Sequence, residues 1–374
     1  GAETSAQQFI QHLLALGHEL ELFTRSRPSP APGLEVTVVR CPATTRSGRS
    51  AAFARAVDKL LARSDADVIH AISPCLRADV YEPRGGTVPE TIARNLALRR
   101  SRATRSLKRL ANRFNLRQRL MLDLERRLLT REPRPMVVAL SDYVIDQLRR
   151  HYAFPETHIR KIFNGVDPDP ADDQQRRRDR REIRGLYGID DDALLVILVA
   201  HNFKLKGVGR WIEALRLLDR DGGPKLQSLV IGRDNPVHWQ RVAAAAGVGD
   251  RVQFVGPTRR MAAFYRAADV LVHPTYYDPC SRVVLEAMAA GLACVTTRYD
   301  GAAEMIDEGL SGYVLDSPED VPSLVRAVET LADADRRSAM GRAAADRSGG
   351  ASMRRHTEQV VELYAELCGR RTTA

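Results

Sequence analysis

The sequence predicts an α/β protein of two Rossmann-like, doubly wound domains, and three observations lead there. Short apolar runs alternate with amphipathic helical stretches along nearly the whole chain, which is the signature of parallel β–α units. A chain of 374 residues is long for a single core, so two domains follow. The alternation breaks once, at Asn164-Gly165-Val166-Asp167-Pro168 and the polar, arginine-rich stretch that runs to Asp192.

The elements follow in order. Phe9, Ile10, Leu13 and Leu14 recur at helical spacing between Thr4 and Leu16, and Gly17 stops that helix. Strands are expected over His18–Thr24 and Glu35–Arg40, then a helix over Ser50–Arg63 and a buried strand over Asp67–Ile72. After a basic helical stretch come a strand (Met136–Leu140), a helix (Asp142–Tyr152) and a strand (Ile159–Phe163). The second domain begins with the apolar strand Leu194–Ala200 and the helix Val208–Leu218. Its further strands are Ser228–Ile231, Val252–Val255, Val270–His273 and Ala293–Thr296, and a last helix covers Ser352–Cys368. Residues 1–165 therefore form one domain, 166–350 the second, and 351–374 a terminal helix. A doubly wound domain normally opens with a strand, so the first strand of the N-terminal domain is expected to be missing.

Composition narrows the class. Hydrophobic residues at 44% beside 28% charged ones describe a soluble globular chain. No apolar run is long enough to span a bilayer. The N-terminus lacks the basic and apolar regions of a signal peptide. Five scattered cysteines without metal-ligand spacing point to a reduced, cytoplasmic compartment and no metal site. The net charge of +10 is concentrated between Arg94 and Arg134, where fourteen Lys/Arg face three acids for a local +11. Leu96, Leu98, Leu107, Leu110, Phe114, Leu120 and Leu124 interleave with those charges. Such a basic amphipathic profile suits anionic lipid head groups, the alternative being a solvated helix pair. Nucleic acid is not expected, since no helix-turn-helix, zinc-finger or RNA-binding aromatic signature is present.

The chemistry concentrates in Asp278-Pro279-Cys280-Ser281-Arg282-Val283-Val284-Leu285-Glu286. Asp278 falls in a loop after a strand and Glu286 in the small-residue helix that ends at Gly291. The carboxyl end of a strand and the next helix N-terminus form a natural anion site, so N–H groups near Ser281, Arg282 and Val283 are candidate phosphate donors. The two acids suit a ligand with phosphate in the middle and hydroxyl groups at both ends. The alternative is a solvated loop Asp with a helical Glu286–Arg282 pair. His201-Asn202-Phe203-Lys204-Leu205-Lys206-Gly207 lies between a strand and a helix. Lys206 there can offer charge to a diphosphate and Gly207 a close backbone approach, or the turn is a basic surface turn. Arg233 in Gly232-Arg233-Asp234 ends another strand on the same edge. In the first domain, strand-end His70 and Asp79 are candidates for orienting acceptor or sugar, although a lone strand-end His is commonly structural.

These residues in this order resemble the retaining glycosyltransferases of family 4, with the GT-B fold, over nearly the whole chain. Gly1-Ala2-Glu3 resembles the end of the family's Gly-Gly-Ala-Glu turn, Asn164-Gly165-Val166-Asp167 its hinge entry, and Lys206-Gly207 its phosphate contact. Asp278 and Glu286 resemble its Glu-x7-Glu signature, with Asp in place of the first Glu. His201 stands where an Arg is frequent, and Cys280-Ser281 where glycine-containing turns are common. Within the family the chain is most similar to the lipopolysaccharide-core glucosyltransferases, whose N-terminal domain also carries a basic membrane-contacting segment.

The resemblance implies two domains facing across a cleft, with the last helix crossing back to the first. It implies transfer, with retention, of a hexose from a nucleotide diphosphate sugar (UDP-glucose type) to a lipid-linked or envelope saccharide, at the inner face of the cell membrane. Glu286 would hold ribose, Lys206 the diphosphate and Asp278 the donor sugar, with no metal and no cofactor. Two other readings stay open: a sugar-nucleotide epimerase of the same fold, and a nucleotide-sugar-binding protein without catalysis.

Overall fold

The computed structural model describes residues 2–27, 30–99, 101–219 and 223–372. Gly1 of the N-terminal turn and Arg100 of the basic segment lie outside them. The chain runs α1 (Ala2–Ala15), β1 (Leu20–Thr24), β2 (Leu34–Val38), α2 (Arg46–Leu61), β3 (His70–Ala71), β4 (Val80–Tyr81), α3 (Val88–Ala97), α4 (Arg102–Arg113), α5 (Leu116–Thr130), β5 (Met136–Ala139), α6 (Asp142–Tyr152) and β6 (Ile159–Lys161). It continues with α7 (Asp173–Leu186), β7 (Leu194–Val199), α8 (Val208–Leu218), β8 (Leu226–Ile231), α9 (Val237–Ala245), β9 (Val252–Gly256), α10 (Met261–Ala267), β10 (Val270–Val272), α11 (Arg282–Ala289), β11 (Ala293–Thr297), β12 (Gly312–Leu315), α12 (Val321–Ala332), α13 (Ala334–Ser348) and α14 (Met353–Thr372). Two compact units result, Gly1–Gly165 with Met353–Ala374, and Val166–Ser352.

The first unit holds a four-stranded parallel sheet ordered β3-β4-β5-β6, while β1 and β2 pair in parallel as a separate ribbon. β5 is buried along its whole length because both faces are covered. Phe9 and Leu13 of α1 pack with Val80, Val138, Val360 and Leu363, so α14 is part of this unit's core. On the other face Leu128 and Leu129 of α5 meet Val137, Val144 and Leu148.

The basic segment divides into helices of different character. α5 is anchored: its buried Glu125 accepts hydrogen bonds from Tyr81 Oη (2.7 Å), the Val88 N–H (2.8 Å) and Tyr152 Oη (2.5 Å). α4 buries no residue, and Leu107, Leu110 and Phe114 stand exposed at 69%, 53% and 75%, beside Leu116 at the start of α5. No helix among the described residues is long and apolar enough to cross a membrane.

The second unit is one six-stranded, all-parallel sheet ordered β12-β11-β10-β7-β8-β9. Counted from β7, this is the doubly wound order of a dinucleotide-binding domain, with its reversal between β7 and β10. Alternate residues of β7 (Leu194, Val196, Leu198) face Trp211, Leu215, Leu324 and Val328 in the core. Trp211 is fully buried, and its indole N–H is satisfied by Ser228 Oγ at 2.7 Å. At the strand order's reversal the chain leaves β7 toward one side and β10 toward the other. The space beyond their carboxyl ends is where such sheets bind ligands.

Candidate functional site

Two loops meet at that point. The loop after β7 is held by buried Phe203, whose N–H donates to Asp234 Oδ2 at 2.8 Å, and by the Leu205 N–H on Asn202 Oδ1 at 3.0 Å. The loop after β10 is tied to it by the Tyr276 N–H on the Leu205 carbonyl, 2.9 Å. Lys206 and Asp278, 72 residues apart in sequence, thereby become partners: Nζ lies 2.5 Å from Asp278 Oδ2 and 3.0 Å from the Tyr277 carbonyl. Both side chains are largely but not wholly covered, at 15% and 20% exposure, so the pair sits within reach of a ligand.

Gly207 has a structural task of its own. It caps α8 at φ +75°, and a Cβ there would come 2.1 Å from the Pro274 carbonyl oxygen. The close backbone approach in this structure is to the neighbouring loop. The Ser281 N–H is likewise engaged, donating to Asp300 Oδ1 at 3.0 Å, while Ser281 Oγ lies 3.4 Å from His273 Nε2. The anion-facing end of α11 therefore begins at Arg282 and Val283, one residue later than expected; Ser281 makes no side-chain cap there.

Farther along α11, Glu286 is 31% exposed. It accepts from Arg282 Nη2 at 3.0 Å and from Tyr265 Oη at 3.0 Å. The Arg282 pair read as the alternative in the sequence is present, yet it leaves Glu286 partly open with both oxygens oriented by neighbours. His201 and Arg233 lie exposed in the turns that follow β7 and β8.

Two further residues complete the cluster and escaped the sequence reading: His273, at the end of β10, and Asp300, after β11. Asp300 is fully buried. Its Oδ1 accepts the N–H groups of Ser281 and Ala302 (3.0 and 2.9 Å), and its Oδ2 the Thr296 hydroxyl at 3.0 Å. Burial and the nearby charge of Asp278 push its carboxyl up to about 7, against the opposing pull of Lys206. Burial and Lys206 push the His273 imidazole down to about 3, so it is neutral. A single His and a single Asp in strand-to-loop segments give no sequence pattern that marks them.

His70 and Asp79 belong to the first unit. Asp79 precedes β4 and so stands at the amino edge of the sheet, where its carboxylate accepts the Ile69 N–H at 2.8 Å. It serves the pairing of β3 with β4; the ligand edge of a parallel sheet is the opposite one. His70 is drawn into a buried network, with Nδ1 2.5 Å from Tyr364 Oη and Nε2 3.1 Å from Glu82 Oε2.

Comparison with known proteins agrees with the fold. Residues 1–170 match the model for Glycosyltransferase Family 4, and residues 179–347 the model for Glycosyl transferases group 1. The chain is 27% identical over 319 residues to the lipopolysaccharide glucosyltransferase WaaG of Escherichia coli (strain K12), covering 85% of this chain and 82% of that protein. It is 30% identical over 233 residues to the D-inositol 3-phosphate glycosyltransferase of Corynebacterium kroppenstedtii, covering 58% of this chain and about half (51%) of that relative. The crystal structure of WaaG aligns with TM-score 0.83 at 24% identity over 97% of this chain and 96% of that one. Anabaena HepE in complex with UDP and glucose aligns with TM-score 0.68 at 17% identity, over 93% and 100%. Fold and site thus define a GT-B glycosyltransferase acting on sugar-nucleotide donors. Its two halves carry matches to two glycosyltransferase models, which together span most of the chain.

Proposed function

We propose that this enzyme transfers a hexose, with retention of anomeric configuration, from a UDP-glucose-type donor to a lipid-linked or envelope saccharide. The observation that carries the reading is the Lys206–Asp278 pair at the switch point of the second sheet, beside the α11 N-terminus and Glu286. Lys206 and the first N–H groups of α11 would stabilise the charge that develops on the departing diphosphate, so the chemistry needs no metal or cofactor. Glu286, oriented by Arg282 and Tyr265, would accept from ribose hydroxyls, and Asp278 from the sugar. The acceptor hydroxyl would attack on the face from which the diphosphate leaves. The similarity to an E. coli lipopolysaccharide glucosyltransferase supports the acceptor class, and the UDP- and glucose-bound Anabaena structure supports the donor class.

Catalysis at a cytoplasmic membrane surface completes the proposal. The exposed Leu107 and Leu110 share α4 with Arg102, Arg105, Lys108, Arg109 and Arg113, and exposed Phe114 caps its end, which suits insertion among anionic head groups.

The test is transfer of labelled glucose from UDP-, ADP- and GDP-glucose to an envelope glycolipid extract. Glu286→Ala should lower transfer by about 10- to 100-fold, the loss expected for hydrogen bonds to a charged group. Unchanged transfer in that variant, or conversion of the donor without acceptor, overturns the reading. An inverted anomer in the product overturns retention. Binding to phosphatidylglycerol vesicles should weaken with salt and with Leu107→Ser/Leu110→Ser/Phe114→Ser.

A further inference from the structure

Asp300 is a fully buried carboxylate beside the Lys206–Asp278 pair, and the transfer reaction has no task for it. Asp300 is joined to the Asp278 strand end by backbone bonds, the Gly301 N–H to the Asp278 carbonyl (3.0 Å) and the Asp278 N–H to the Tyr299 carbonyl (2.8 Å). His273 Nε2 lies 4.0 Å from Oδ2 of each acid, which places both carboxylates around one neutral ring. Two acids therefore share the charge of Lys206, and of the two Lys206 touches Asp278 directly. The other titratable neighbour is Cys294 of β11, whose thiol burial holds neutral.

We infer that binding of the donor diphosphate at Lys206 draws a proton from solvent onto Asp300. The inference rests on the donor-site reading above. A nucleotide sugar brings two negative charges to Lys206. Lys206 then divides its attraction between phosphate and Asp278, and the new anions face Asp300 from the same side. Added negative charge favours the neutral form of a carboxyl group. Asp300 already stands at about 7, so near neutral pH it exists in both forms and takes up a proton with little further change. Protonation removes one of the negative charges near the ligand and leaves the acceptor Oδ1 on the Ser281 and Ala302 N–H groups. By reciprocity, donor affinity falls as pH rises through the Asp300 titration.

Calorimetry of UDP-, ADP- and GDP-glucose binding to the full chain, in two buffers of unlike ionisation enthalpy, measures the proton directly. Their diesterified diphosphates exchange no proton near neutrality, so any uptake belongs to the protein. The expected result is uptake of about half a proton near pH 7.5, with affinity weakening about threefold per pH unit around that point. Asp300→Asn should take up none, and Asp278→Asn, which removes the neighbouring charge, should take up less than the unaltered chain. Binding without proton uptake, or equal uptake in Asp300→Asn, overturns the inference while the donor site stands. Failure of all three nucleotide sugars to bind overturns the donor site and the inference with it.

Discussion

Glu82 in the first unit and Asp300 in the second are both fully buried carboxylates just beyond the carboxyl ends of parallel strands, yet their surroundings charge them differently. Glu82 is ringed by cations and donors: Arg84 Nε at 2.9 Å, His70 Nε2 at 3.1 Å and His356 Nε2 at 3.5 Å. Burial raises a carboxyl by itself, but Arg84 and the two histidines outweigh it and hold Glu82 well below the usual carboxylate range. Asp300 has the same burial without a cation of its own, and it rises. Partner geometry, more than depth, decides the ionisation of a buried acid. The consequences differ accordingly. Arg84 also donates to Ser5 Oγ of α1 (2.8 Å), and His356 of α14 lies 2.9 Å from the Phe163 carbonyl through Nδ1, so the Glu82 cluster clasps helices from both ends of the chain. The Asp300 cluster instead sits beside the Lys206–Asp278 pair of the proposed donor site.

The comparison breaks most visibly at Glu82. Glu82→Gln leaves Arg84 buried without its counter-charge and should cost about 3–5 kcal/mol of stability in urea unfolding, the usual result of removing one partner of a buried pair. The sign of its pH dependence follows from the depressed carboxyl. Stability from Glu82 is fully present above the unfolded value of 4.5 and is lost as pH falls toward the folded value. The variant should lack that acid-side loss; an identical acid profile would show that Glu82 is not ionised in the fold. A smaller effect is expected of Tyr364→Phe, which removes the 2.5 Å contact with His70 Nδ1 but keeps the ring edge-on to His70. About 1 kcal/mol should be lost, with hydrogen-exchange protection falling in α14 before the sheet. Uniform loss across the unit would show that α14 is not docked by this bond.

Much of this was legible in the sequence, for physical reasons that also explain the gaps. The helices Asp142–Tyr152 and Val208–Leu218 match their expected bounds because each has a sharp start: Ser141 caps the first, and Gly207 opens the second in a left-handed conformation. Apolar β7 and β8 were as readable, since a strand covered on both faces is a continuous hydrophobic run. β3 and β4 have two paired residues each, too few to show a period, and this misplaced Asp79. With β4 unread, the sequence puts Asp79 on the cleft side of its domain, whereas it precedes a strand at the opposite edge of the sheet. β12 was missed because its four residues follow the polar Glu308-Gly309-Leu310-Ser311 turn without alternation. In the site, Lys206 and Asp278 were each picked out from their own segments. Their bond depends on the adjacency of β7 and β10, which only the strand order reveals. The Glu82 cluster is likewise invisible in one dimension, its members being spread from Ser5 to Tyr364.

The variant that changes stability least near pH 4 sharpens the contrast most, because its pH dependence has the opposite sign. Asp300→Asn keeps an oxygen for the Ser281 and Ala302 N–H groups, so near pH 4, where Asp300 is protonated in the fold, stability should change by less than about 1 kcal/mol. Between the ordinary Asp value of 3.8 and about 7, the folded chain holds a proton that the unfolded chain has released. Stability contributed by Asp300 therefore declines across that window as pH rises and levels off above it. Asp300→Asn should lack this decline and grow more stable relative to the unaltered chain up to about pH 7, the opposite trend to that of Glu82→Gln, as urea unfolding at a series of pH values would measure. If the two variants instead diverge from the parent in the same direction with pH, Asp300 is ionised throughout. The difference between a clasp held by cations and a carboxyl left short of them would then lie elsewhere than in the Arg84, His70 and Lys206 contacts.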